Sequence, residues 1–302
     1  MIIPTNFTGN HIKYSDKTVF TYKFKPFLQI HSAILLFGLA ALFGKWIHLP
    51  PEIIVFGRVF FAGIAFGILF LLKKESPRIQ SVKDFIILAF NGFLLAFHWY
   101  AFFRSIQLST VAIGLLTYSS FPIFTVFLEP LFLKSKLKTK YIFLALLTFA
   151  GIYLIVPSFT MADHATQGVC WGLLSGLSFA LITLINKLMI EKYSSRTISF
   201  YLDLFAGMAL FPFLFTSGYT LTLENISLLV ILGIACTALA HALFIESMKV
   251  IPARVAGLIA SLEPLYGIAF AMILLNEMPS VKVILGGFLV LTAMLWGSVK
   301  SI

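Results

Sequence analysis

A carboxylate followed directly by proline, Glu263-Pro264, interrupts an apolar run at residues 253 to 275. Inside hydrocarbon a lone ionised carboxylate costs roughly 2.5–3.5 kcal/mol. Its presence points to a compensating use, such as a proton taken up and released or a cation held. Pro264 adds to this, because proline in a helix leaves the carbonyl one turn earlier without its donor. A structural glutamate paired with a neighbouring helix is the plainer alternative. His98 and His241 fall in two other apolar runs. Imidazole titrates near neutral pH and can shuttle a proton or hydrogen-bond a polar solute. The bland reading is a histidine that fastens two helices, a contact contributing about 0.6 kcal/mol in membranes. Trp99 beside His98, and Tyr266 three residues after Glu263, offer rings to a flat or apolar solute.

Four further groups bear charge or a polar stripe within apolar surroundings. Tyr118, Pro122, Thr125 and Glu129 recur at one-turn and two-turn spacing and so share one helix face. Asn91 and His98 do the same. Arg58 needs a carboxylate or several carbonyls if it is buried, and Asp203 is an acidic residue in another apolar run. Lys45 and Lys187 sit at the ends of two runs, placed to act as opposed gates or to snorkel to the two interfaces. No HxxxH, HExxH or Cys/His cluster accompanies these residues, so no metal site is expected. Cys170 and Cys236 lie in separate apolar runs and suggest neither a disulfide nor a thiolate site. There is no GxxxxGK[ST] phosphate loop, and no cofactor is expected.

The elements that position these groups follow from composition. Of 302 residues, 60% are apolar and only 11% charged, against about 25% charged in soluble domains. A water-soluble globule is excluded. Apolar runs long enough for about 30 Å of hydrocarbon lie near 27–45, 52–72, 84–104, 109–133 and 140–156, then near 168–190, 197–215, 226–248, 253–275 and 280–299. Lipid makes each run satisfy its own backbone, which a helix does and an isolated strand does not. The expected fold is therefore all-α, a polytopic protein of ten transmembrane helices in the lipid bilayer.

The net charge of +10 is topological, with no nucleic acid implied. With the N-terminus inside, 17 of the 22 Lys and Arg fall in cytoplasmic segments, and only Arg104 and Lys282 fall outside. Residues 1–26 read as a retained cytoplasmic tail, and both termini are expected inside. Shifting the sequence by 142 residues pairs Lys45 with Lys187, Ser119 with Ser261, Pro122 with Pro264 and Lys140 with Lys282. Residues 27–156 and 168–299 are thus expected to be two five-helix repeats. An odd number of spans inverts the second copy, an architecture of secondary transporters.

The segments IIVFGRVFFAG around Arg58, HWYAFFRSIQLSTVAIGLLTYSSFPIF from His98, CTALAHALFIESMKVIPARVAGLIASLEPLYG from Cys236, and LLNEMPS around Glu277 resemble the EamA family of the drug/metabolite transporter superfamily, from about residue 30 to 300. The first half departs from the family pattern: Ser135 stands where a glutamate is common, and Glu129 lies six residues earlier. The resemblance implies ten helices with both termini cytoplasmic, in a bacterial inner membrane. It also implies a central cavity lined mainly by spans 1, 3, 4, 6, 8 and 9, and movement of small metabolites such as amino acids or related compounds, often outward. The expected activity is secondary transport by alternating access. His98, Trp99, Tyr118, His241, Glu263 and Tyr266 are the substrate-binding candidates. Glu263, Glu129, Arg58, Lys45 and Lys187 are the coupling or gate candidates, with protons as coupling ion. An uncoupled facilitator or exchanger, and an intramembrane enzyme using a histidine with a carboxylate, are the competing expectations.

Overall fold

The computed structural model describes residues 16–133, 139–158, 160–216, 218–247, 250–251, 256 and 259–299. Ser135 and the charges counted at Lys13, Lys134, Lys136, Lys138, Lys249, Arg254 and Lys300 lie outside the described residues.

The described residues form helices and no strand. The first half holds α1 (Asp16–Trp46), α2 (Pro51–Lys73), α3 (Val82–Leu108), α4 (Val111–Tyr118), α5 (Phe121–Leu133) and α6 (Thr139–Ile155). The second holds α7 (His164–Met189), α8 (Ser195–Leu210), α9 (Leu223–Gly233), a π turn (Ile234–Leu239), α10 (Ala240–Ser247), α11 (Glu263–Leu274) and α12 (Val281–Val299). Seven helical segments are long and apolar enough to cross a membrane, with α4–α5 and α9–α10 each counted as one. Three shorter apolar helices, at Thr139–Ile155, Glu263–Leu274 and Val281–Trp296, accompany them. The chain is an integral membrane protein. Phe143, Leu146, Phe149 and Tyr153 on α6 form a continuous exposed apolar face of the kind lipid requires.

Local chemistry sets the helix starts. Ser81, Thr110, Ser194 and Thr222 each cap a helix by accepting a backbone N–H bond through the side chain. Pro51 occupies a first-turn position of α2, where its missing donor has no cost. Asp163 caps α7 and takes a bond from the Ser158 hydroxyl at 2.7 Å. That bond, helped by the Ala165 N–H, holds the Asp163 carboxyl below the usual carboxylate range.

Two departures from unbroken helices shape the centre of the bundle. The run 109–133, expected as one helix, breaks at Ser119–Ser120. Ser119 donates to the Leu115 carbonyl at 2.7 Å and Ser120 to the Thr117 carbonyl at 2.6 Å, back-bonding that bends helices. Pro122 has no N–H to offer the Tyr118 carbonyl. The same break recurs at Ser261–Leu262, just before Glu263-Pro264 and 142 residues later. The π turn is the second departure. It carries one residue more than an α turn, and Thr237 donates to Leu232, five residues back, at 2.8 Å. Just beyond it the offset between the halves is 143, which sets His241 against His98, and at Ser261 it is again 142.

Packing is reciprocal under this shift. α3 lies along α7, and α10 with the π turn lies along α1; α5 meets α7, and α11 meets α1. α2 packs on α8 and α6 on α12, each helix on its own counterpart. Two ring pairs are alike in the two halves, His98 with Phe179 at 4.9 Å between centroids and His241 with Phe37 at 5.1 Å.

Candidate functional site

Both helix breaks open onto one cavity of about 530 Å³, within the range of small-molecule sites, about 300–1,000 Å³. Its wall carries the rings of Phe37, Tyr118, Phe121, Phe179, His241 and Phe244. Glu263 also lines it, at the first position of α11. Among the described residues the Glu263 carboxylate accepts no hydrogen bond and forms no ion pair. Pro264 follows at the next position, so the chain approaches the cavity on a backbone whose hydrogen-bond ladder is already interrupted.

Three sequence candidates, Tyr118, His241 and Glu263, therefore share the cavity wall. Three others stand behind it. His98 is fully buried, with Nδ1 3.0 Å from both the carbonyl and the hydroxyl oxygen of Ser175 on α7. Asn91, two turns earlier, donates to Asn186 at 2.8 Å, so the shared face of α3 fastens α3 to α7. Trp99 lies under Arg58, whose guanidinium carbon is 3.4 Å from the ring centroid. Tyr266 points to α1 and meets His31 Nδ1 at 3.1 Å through its hydroxyl.

Arg58 is 1% exposed, and its Nε and Nη1 have no hydrogen-bond partner. Its charge acts on Asp203 and Glu263, yet it forms no ion pair with either among the described residues. The stacked Trp99 ring offers a π face in place of a carboxylate.

Lys45 and Lys187, the candidates for opposed gates, lie at opposite ends of the bundle. Ser105 on the last turns of α3 donates to the Gly168 carbonyl at 2.6 Å, so α7 starts at the end where α1 finishes and runs away from it. Lys45, at the end of α1, donates to the Ser109 carbonyl at 2.6 Å and lies 3.8 Å from Glu277. Glu277 in turn accepts from the Val111 N–H at 2.8 Å. One cluster thus ties the end of α1, the α3–α4 turn and the segment after α11. Inward of it, Gly38 and Gly267 bring α1 and α11 into backbone contact: a Cβ on Gly38 would sit 2.9 Å from the Gly267 nitrogen. At the other end Lys187 meets Glu129 at 3.1 Å, with no further ion-pair partner among the described residues. Its side chains are 58% and 33% exposed, against 26% and 21% for Lys45 and Glu277. The cavity lies toward this looser end, since its wall reaches Thr183, Phe244 and Met294 in the later turns of α7, α10 and α12.

Sequence reasoning missed Phe37, Phe179 and the partnership of Glu277 with Lys45. The first two were available from the repeat, because the 142-residue shift pairs Phe37 with Phe179.

A profile of the EamA-like transporter family matches the chain twice, over residues 25–156 and again over 166–298. An uncharacterized transporter, YxxF, of Bacillus subtilis is 24% identical over 267 residues, covering 87% of this chain and 86% of that protein. The S-adenosylmethionine uptake transporter of Rickettsia bellii is 23% identical over 243 residues, covering 80% and 82%. A solved crystal structure with 15% identity aligns at a TM-score of 0.60 over 91% of this chain and 95% of its own, a likeness of fold.

Proposed function

Because the chain belongs to the EamA-like transporter family, whose profile it matches in each half, we propose that it is a secondary transporter. It moves a small organic metabolite, an amino acid or related compound, through the central cavity by alternating access. The observation that carries this reading is the meeting of two helix breaks, 142 residues apart, in one cavity of a bundle with a partly covered ion-pair cluster at one end and a more exposed pair at the other. The ten apolar helical segments are read as ten spans in two inverted five-helix repeats, residues 27–156 and 168–299. Residues 1–26 and both termini are then cytoplasmic, in a bacterial inner membrane. This topology makes the Lys45–Glu277 end the outer one, and the conformation inward-facing. The opposite state follows by exchanging the roles of the halves: the His98–Phe179 pair would be uncovered and the His241–Phe37 pair sealed.

Glu263 is assigned to coupling. A cavity carboxylate without a fixed partner can exchange a proton for substrate as the site turns from one side to the other. Glu263→Gln keeps size and hydrogen bonding but removes titration. In liposomes the variant should lose uptake driven by a pH gradient and retain substrate exchange at equal pH. Wild-type flux indifferent to a pH gradient would remove the coupling role and leave an uncoupled facilitator. No flux, with product formation instead, would remove transport itself.

A further inference from the structure

The identity of the cargo is constrained by charge and by ring surface. One guanidinium, Arg58, lies within electrostatic reach of two carboxylates, Asp203 and Glu263, without pairing with either among the described residues. Arg58 is turned onto Trp99 and lines no part of the cavity, and Asp203 is likewise outside its wall. Among the described residues the carboxylate that lines the cavity is that of Glu263, and the basic side chain in the same wall is the imidazole of His241. A buried excess negative charge is costly unless a positive group or a proton compensates it. Around Glu263 the wall is built of rings, among them Phe37, Tyr118, Phe121, Phe179 and Phe244, from five separate elements. Tyr118, Phe121 and Phe179 already contact one another, with centroids 5.0–5.5 Å apart and two of the three pairs edge-to-face. Ring faces attract cations, more strongly when desolvated, and they accept flat ligands by stacking or edge contact.

We propose that the cavity selects small organic cations with a flat ring, Glu263 serving as counter-ion and the surrounding rings as cation-binding and stacking surface. Among the described residues an anion would meet Glu263 with only the imidazole of His241 as a basic partner in the wall. A neutral molecule would leave the carboxylate to be compensated by a proton alone. The inference rests on the reading of this cavity as the substrate site.

The test compares ligands that share a ring and differ in charge: 1-methylnicotinamide (cation), nicotinamide (neutral) and nicotinate (anion), with choline as a cation that lacks a ring. Binding is measured by titration calorimetry on the purified full-length protein, and flux in liposomes. The cation should bind tighter than its neutral match by about tenfold or more, with the anion weakest and choline below 1-methylnicotinamide. In Glu263→Gln the gap between cation and neutral ligand should shrink to about threefold or less. The wild-type ranking is decisive without any variant. A neutral or anionic member that equals or outranks the cation overturns the proposal, as does absence of binding by all four. A cation that binds in the expected order but never crosses the liposome membrane leaves the selectivity standing and removes transport. Flux of the neutral or anionic member alone does the reverse.

Discussion

Arg58 shows how far a single residue could be understood in advance. Its type and place in an apolar run announced a buried cation needing partners, but its partner is the face of Trp99, a contact across two helices that no spacing within either helix encodes. His98 is a similar case: imidazole chemistry was legible, whereas Ser175, 77 residues away, decides that the ring fastens α3 to α7. Glu263 was legible because its cost in lipid does not depend on neighbours. Removing the guanidinium would empty the fully buried space over the Trp99 ring and take away a positive charge near Asp203, a destabilising change. Arg58→Ala should therefore reduce the yield of monodisperse protein in gel filtration, while the fraction that folds binds ligand almost as well as wild type. Arg58→Lys should fall between the two, since an ammonium lacks the planar face that lies on the indole. Full yield with a selectively weakened affinity would move Arg58 into the substrate site.

At the level of elements, hydrophobic blocks gave the kind of element, helix and no strand among the described residues, but not where the helices break. Ser119–Ser120 and Ser261–Leu262 interrupt runs whose apolar character continues across the gap, so hydropathy reads through them. The serine and proline chemistry at those sites, repeated 142 residues apart, was the available signal. The π turn was visible only as a slip of one residue between His98 and His241, and its backbone geometry explains that slip. Lys45 looked equally suited to snorkelling until Glu277 and the α3–α4 turn were placed around it. If that cluster holds α1, α4 and α11 together, Glu277→Gln should loosen one end of the bundle. The Val111 N–H keeps an acceptor, and only the ion pair is lost. With Ser119→Cys as reporter, an impermeant thiol reagent applied outside intact cells should react several-fold faster in the Glu277→Gln background, in the range set by about 1 kcal/mol for a partly exposed pair. Lys187→Gln should leave that outer reactivity unchanged or lower it. Equal rates in all three backgrounds would reduce Lys45 to an interfacial anchor.

For the molecule as a whole, the charge pattern and the repeat predict sidedness directly. Single cysteines placed at residue 78 or 196 should be protected from an impermeant reagent in intact cells, and one at residue 162 should be labelled; the opposite pattern would reverse the bundle and the assignment of its ends. The global shape was the most legible part, because lipid permits so few solutions. The pairing of halves across the centre needed three-dimensional placement. The two ends of the bundle are fastened unequally, by a partly covered cluster joining three segments at Lys45 and by one exposed pair at Lys187. Inequality of this kind has a kinetic reading. A carrier that rests with one mouth favoured offers its site to the other compartment only for a fraction of the time, and its apparent affinity on that side is weakened by that fraction. Half-saturation measured from outside should exceed that measured from inside, and Glu277→Gln should bring the two values together, so that the difference in fastening is read as an asymmetry in the concentrations to which each compartment must rise before the carrier responds.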